Sequence, residues 1–227
     1  MMQEVIRVPL SARKIRRLYD FLSHIYDFVT RYEISPKKEA LKISNVQEGS
    51  RVLEVGFGTG RILLEFARKV GNTGEAYGLD LSRKMTDRAR RLIERNDLSE
   101  RTSFIIGNAG NLPFLDSAFD MVFSSYMFDL IDTPAIPGIL AELKRVLKPT
   151  GRLVLVSLSK GPRWYESMKA YEFLYRLSPS LLGGCRPVFL EPYLEKMGFK
   201  DVKRRLMHAG RLMTTEIVWA DKASGSS

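Results

Sequence analysis

Ten residues, Arg51-Val52-Leu53-Glu54-Val55-Gly56-Phe57-Gly58-Thr59-Gly60, restrict what the whole chain can become. Val52, Leu53 and Val55 make the short apolar run that a strand covered on both faces requires. Three glycines then alternate over five residues, and the stretch from Arg61 to Arg68 carries apolar side chains at helical spacing. Strand, glycine turn and helix in that order form the first half of a βαβ unit, which leads to an α/β fold on a mostly parallel sheet. Glycine in such a turn accepts φ > 0 and, lacking a Cβ, lets a ligand lie against the backbone. The helix start behind it presents unpaired N–H groups.

The spacing says what the turn can hold. A dinucleotide fingerprint reads G-x-G-x-x-G; this chain reads G-x-G-x-G, with Arg61 where that third glycine would stand. An NAD-linked oxidoreductase is therefore the disfavoured alternative. Glu54 lies two positions before the first glycine, and a carboxylate there suits a cation better than a pyrophosphate. Taken alone, the motif also fits a bare strand-to-helix turn.

The remaining elements follow in order. Ile15, Leu18, Tyr19, Leu22, Ile25, Tyr26 and Val29 have helical spacing, behind a basic start at Arg13, Lys14, Arg16 and Arg17. Such a helix can lie on an anionic membrane or close over a pocket. Ser35-Pro36 reads as a helix start, with Ser35 as the cap. Ala76 to Asp80 is a second strand, and its terminal Asp80 can accept from both hydroxyls of a ribose. Ser82 is placed to cap the next helix, which leaves Asp80 available for a nucleoside. Thr102 to Gly107 is a third strand, followed by Asn108-Ala109. Phe119 to Tyr126 is the fourth strand and its exit, so Ser124, Ser125, Tyr126 and Asp129 are expected beyond a strand end, where ligands of open α/β sheets bind. Asp120, at the strand entrance, reads as structural, and Asp132 as the cap of the following helix. Arg152 to Ser157 is an almost unbroken apolar fifth strand. Arg163 to Leu177 is helical and aromatic, with Trp164, Tyr165, Tyr171, Phe173 and Tyr175 reading mainly as core. A short helix over Phe189 to Met197 and two strands, Val202 to Met207 and Thr214 to Ala220, complete the chain.

Glu54-x-Gly56-x-Gly58-x-Gly60, Asp80, the Leu112-Pro113-Phe114 to Phe119-Asp120 segment and Leu147-Lys148-Pro149-Thr150-Gly151 resemble, in order and spacing, the class I S-adenosylmethionine (SAM) dependent methyltransferases. The resemblance runs almost continuously from Arg51 to Ser157. The pairs Tyr19-Asp20 and Tyr26-Asp27 resemble the N-terminal helix of the ubiquinone/menaquinone and phosphatidylethanolamine methyltransferase branch. The implied fold is a Rossmann-like three-layer sandwich, a mostly parallel seven-stranded sheet with an antiparallel last strand. The implied cofactor is S-adenosyl-L-methionine. Its methionine end would lie at Glu54, Gly56, Gly58 and Gly60, its ribose at Asp80, and its adenine along Leu81, Met85, Asn108 and Ala109, with Ser125 facing it and Tyr19 closing over it. The family carries Gly-Asp-Ala where this chain has Gly107-Asn108-Ala109; an amide oxygen can accept the same hydrogen bond without the charge. The resemblance assigns no catalytic residue.

The 227 residues fit a single domain spanning 1–222 with a short tail at 223–227. Lid helices are expected over 11–48 and an acceptor-side insertion over 159–197. One cysteine, Cys185, excludes an intrachain disulfide, and two histidines, His24 and His208, give no metal-ligand set. No apolar run is long enough to span a bilayer and no signal peptide is evident, so a cytoplasmic protein, peripheral at the inner membrane face, is the expectation. The formal charge of +10 favours anionic partners. The expected acceptor is a small or lipid-like amine or quinone. An RNA acceptor is the alternative, although no aromatic-interleaved basic stripe supports nucleic acid. A non-catalytic SAM-binding protein stays open as well.

Overall fold

The computed structural model describes residues 8, 13–15, 17, 20, 33–159, 173–177, 184–209 and 213–222, with backbone alone at 208, 209 and 213. Seven strands are described: β1 (Arg51–Val55), β2 (Glu75–Asp80), β3 (Thr102–Ile106), β4 (Phe119–Ser125), β5 (Leu147–Leu158), β6 (Lys200–Ala209) and β7 (Met213–Asp221). They form one sheet in the order β3-β2-β1-β4-β5-β7-β6. All pairings from β3 through β5 are parallel, and β7 runs antiparallel to both β5 and β6. β1 lies between β2 and β4, so the connections leave its two sides in opposite directions. That is a topological switch point, where the loops after the strands part and leave a crevice.

The helices are α1 (Ile34–Ile43), α2 (Arg61–Lys69), α3 (Arg83–Glu94), α4 (Ile136–Val146) and α5 (Glu191–Lys196). Alternate strand residues face opposite sides of the sheet, which gives two cores. Leu53, Val122, Leu153 and Leu155 pack with Ile139, Leu140 and Leu143 of α4 and Leu194 of α5. Val52, Phe123, Val154 and Val156 pack with Ala40 of α1, Leu63, Phe66 and Ala67 of α2, and Ala89 and Ile93 of α3. The result is the expected three-layer sandwich.

Two starts differ from expectation. α1 begins at Ile34, after Glu33, with no side-chain cap, and Ser35 is not its cap. Pro36 falls inside the first turn, where a missing N–H costs no hydrogen bond, and Glu33 instead pairs with Lys37 at 2.6 Å. Asp132 caps the 3-10 turn Thr133–Ala135 that leads into α4 rather than α4 itself, and also accepts from Val8 N. Ser82 caps α3 as expected, its Oγ accepting from Met85 N at 3.1 Å. Asp120 is structural, tying Arg51 N at 2.9 Å to Lys148 Nζ at 2.7 Å. Tyr19, Tyr26, Arg16, Trp164, Tyr165, Tyr171 and the tail lie outside the described residues. Of the remaining aromatics, Tyr175 is buried and Phe173 is exposed.

Candidate cofactor site

A cavity opens at the carboxyl ends of β1 to β4, on the crevice that the strand order creates. Its wall comprises Val55, Gly56 and Gly58 after β1; Leu79 to Ser82 after β2; Gly107 to Ala109 after β3; and Ser125 to Met127 with Leu130 and Ile131 after β4. Ile15, from the N-terminal helical segment, closes one side. Asp20 of that segment accepts from Ser82 Oγ, which ties the segment to the start of α3.

The structure brings together Gly56, Gly58, Asp80, Leu81, Asn108, Ala109, Ser125 and Tyr126 from the sequence reading. Gly56 and Gly58 have φ of 75° and 56°, so the turn needs the left-handed conformations glycine adopts without strain. Gly60, Glu54 and Met85 are not wall residues. Gly60 is the left-handed residue before α2, and a Cβ there would stand 2.5 Å from Ala89 Cβ; its constraint is helix packing. Met85 is 1% exposed and belongs to the α3 interface. Ser124 and Asp129, expected to face the site, turn away from it. Ser124 Oγ donates to Val55 O at 2.8 Å, on the neighbouring strand β1. The 3-10 turn Phe128–Leu130 carries Asp129 inward, where its carboxyl accepts from Leu158 N.

Asp80 has a second task that sequence reasoning missed. Oδ2 accepts from Gly58 N at 2.9 Å and Oδ1 from Ser82 N at 2.8 Å. The carboxylate therefore fastens the glycine turn to the start of α3, and still has lone pairs for other donors. Burial raises its pKa to about 6, although the backbone donors pull the other way. Glu54 is 1% exposed and lies on β1 just before the wall. Burial, with the charge of Asp80 added, lifts its pKa to about 8 against the attraction of Lys37. Glu54 Oε2 is buried without a hydrogen-bond partner among the described residues. A buried, unpartnered carboxyl oxygen calls for a donor, and a cationic one answers best. Asn108 is exposed, and its Oδ1 already accepts from Gly110 N at 3.0 Å, leaving one lone pair for a ligand.

Tyr126, Met127, Leu130 and Ile131 supply the apolar wall on the β4 side. Tyr126 has φ of 57°, a conformation uncommon for a bulky side chain, and its hydroxyl bonds Thr215 at 3.1 Å. Their position just after a strand end was the available signal. Ile15 offered none beyond helical periodicity.

Two carboxyl groups, a glycine turn and a slot ending on an amide fit a cationic nucleoside. The methyltransferase-domain family model matches residues 52–151. Demethylmenaquinone methyltransferase of Geobacillus sp. (strain WCH70) is 33% identical over 198 residues, covering 87% of this chain and 81% of that protein. The chain belongs to the class I SAM-dependent methyltransferases. Demethylmenaquinone methyltransferase of Geobacillus kaustophilus is 33% identical over 187 residues, covering 82% of this chain and 77% of that one. The crystal structure of a SAM-dependent methyltransferase from Aquifex aeolicus shares the fold, with a TM-score of 0.62 at 23% identity, over 94% of this chain and all of that one. This protein is accordingly a methyltransferase with S-adenosyl-L-methionine as its cofactor. The residues present fit that group: Asp80 lies on the wall, and the buried, unpartnered Glu54 Oε2 just behind it suits a cationic donor.

Proposed function

We propose that this methyltransferase acts on a quinone-type ring, held beside the apolar wall of Tyr126, Met127, Leu130 and Ile131. One observation carries the reading: the identity to demethylmenaquinone methyltransferase spans 198 residues and so extends well beyond the methyltransferase-domain match over 52–151. Bound SAM supplies an electrophilic methyl group, and the protein's task is alignment at near-attack distance. Glu54 takes the ammonium group of the methionine end over the Gly56–Gly58 turn. Asp80 takes the ribose hydroxyls. Leu81, Asn108 and Ala109 flank the adenine, and Ser125 borders the reacting end. The segment 11–48 acts as a lid and the segment 159–197 as the acceptor side. No helix among the described residues is long and apolar enough to cross a membrane. Arg13, Lys14 and Arg17 are exposed beside the wall residue Ile15, which favours collection of a lipid-soluble acceptor at an anionic membrane surface.

The test supplies methyl-labelled SAM with a reduced short-chain 2-prenylnaphthoquinone, phosphatidylethanolamine vesicles or bulk RNA in parallel. Label in the naphthoquinol alone supports the reading. Label only in phosphatidylethanolamine or only in RNA replaces it with the corresponding acceptor. SAM binding without transfer to any of the three leaves a SAM-binding protein of another purpose.

A further inference from the structure

Met127 joins two sides of the cavity. It follows β4, is half-buried and lines the wall beside Tyr126, Leu130 and Ile131. Its side chain lies across the glycine turn after β1. Outside the turn itself, the three atoms nearest to where a Cβ on Gly56 would stand are Cβ, Cγ and Sδ of Met127, at 2.9, 3.1 and 3.5 Å. The missing side chain of Gly56 thus seats Met127, while its φ of 75° makes the turn. The base of the Met127 side chain is fixed. Tyr126 N–H donates to Val156 O at 2.7 Å, and Met127 O accepts from Leu130 N at 3.0 Å, which closes the turn after β4. Phe128 and Asp129 point inward, 1% and 0% exposed, so this turn presents Met127, Leu130 and Ile131 to the cavity.

We propose that Met127 packs against the sulfonium methyl of bound SAM and determines which alkyl group the site accepts. The proposal rests on the cofactor placement at Glu54, Gly56 and Asp80, and not on the identity of the acceptor. SAM carries its sulfur between the methionine end and the ribose. With the methionine end over Gly56 and the ribose at Asp80, the sulfur lies beside the turn, within reach of the side chain seated on Gly56. The nucleoside takes the β2 and β3 side of the cavity through Asp80 and Asn108, so the acceptor approaches from the side of β4 and the methyl points there. Met127 meets both conditions: it touches the turn and belongs to the β4 side. Leu130 and Ile131 share that side, but the atoms nearest Gly56 are those of Met127. The chemistry agrees. A thioether is apolar, which keeps water from the sulfonium, and polarisable, which suits contact with a cation. Its length matters as well. With Cβ and Cγ already against Gly56, a group longer than methyl on the sulfur has to push the Met127 side chain off the turn, and overpacking of that kind is costly.

The experiment titrates the full chain with SAM, S-adenosylhomocysteine and S-adenosylethionine, in which ethyl replaces methyl. The parent should bind the ethyl analogue roughly ten- to hundredfold more weakly than SAM, the usual range for one methylene in a fitted pocket. Met127→Ala should bring the two ligands to within about threefold of each other, since the added room takes the extra carbon. Met127→Leu, of similar volume, should keep most of the preference. S-adenosylhomocysteine, which has no methyl to transfer, should lose little affinity in either variant. A parent without preference overturns the proposal, as does a preference undiminished in Met127→Ala. So does an equal loss of all three ligands together with a lowered thermal midpoint in both variants, which would make Met127 a strut of the turn. A second measurement needs no substitution. Limited oxidation by peroxide, read by peptide mass spectrometry, should find Met127 protected by SAM while the partly buried Met197 and Met207 react as before. Met127 oxidised equally with and without saturating SAM overturns the contact. Failure of the cofactor placement looks different: there Asp80→Ala also keeps its SAM affinity, whereas failure of the Met127 contact alone leaves Asp80→Ala weakened.

Discussion

Asp80 carries two demands on one carboxylate. It holds Gly58 N and Ser82 N while presenting lone pairs to the cavity. Asp80→Ala should weaken SAM roughly ten- to hundredfold, the usual size for lost hydrogen bonds to a charged acceptor. It should also lower the thermal midpoint, because two backbone donors lose their acceptor. Cofactor titration together with thermal unfolding checks both halves, and unchanged SAM affinity would place the ribose elsewhere. Glu54 makes a prediction about pH. Its ordinary value is 4.5 and burial holds it near 8 in the folded chain. The folded state thus retains a proton that the unfolded chain releases, so this contribution to stability is complete below 4.5 and is lost as pH rises through 8. Glu54→Gln should flatten that decline in a series of melting curves. SAM binding to the parent near neutrality should expel the proton, seen by calorimetry in buffers of different ionisation enthalpy. The Gln variant should expel none from this position, and proton release identical to the parent's would count against the assignment.

At the scale of elements, the contact between α2 and α3 is set by Gly60. The close approach of Ala89, 2.5 Å from where a Cβ would be, leaves no room for a side chain. With φ at 80° the backbone is also unfavourable for any residue but glycine. Gly60→Ala should cost about 1–3 kcal/mol through overpacking and strain. Ala89→Gly should recover the packing part but not the backbone part, so a double-mutant cycle should show positive coupling with incomplete rescue. Full additivity would mean that the helices do not meet there. The third glycine of the motif therefore serves the sandwich, while the first two shape the wall. The loop after β3 is held by a different element: Arg145 of α4 binds Leu112 O, Phe114 O, Asp116 and Glu142. This explains why the Leu112-Pro113-Phe114 stretch can keep its place beside the site without a strand of its own.

Over the whole molecule, charge is spread unevenly. Arg83, Lys84, Arg90 and Arg91 are exposed on α3 and Arg95 just after it, and Arg13, Lys14 and Arg17 are exposed near the cavity. The net charge of +10 is thus partly displayed around the site's entrance. Sedimentation with anionic vesicles should be strong at low salt and fade as ionic strength rises. Gln at Arg13, Lys14, Arg16 and Arg17 together should reduce it sharply while leaving SAM affinity intact. Equal sedimentation with neutral vesicles, or none with either, would leave these residues as a solvated surface.

The fold class and the succession of strands along the chain up to β5 were legible because they depend on local patterns: apolar runs with a period and a glycine turn. That Gly56, Gly58 and Asp80 meet at one cavity was readable from the strand–turn pattern and from the acid at the end of the next strand. What tertiary structure alone decided rests on contacts between distant residues. Gly60 meets Ala89 across two helices, Asp129 turns under Leu158, and Ser124 is spent on Val55. That Nε and Nη1 of Arg186 go unsatisfied among the described residues could not be foreseen, because the contacts of that residue come from the distant 129–133 turn. Periodicity says which face of an element is buried; only packing says which buried polar atoms find a partner, and an unmet hydrogen bond is a property of the surroundings rather than of the residue.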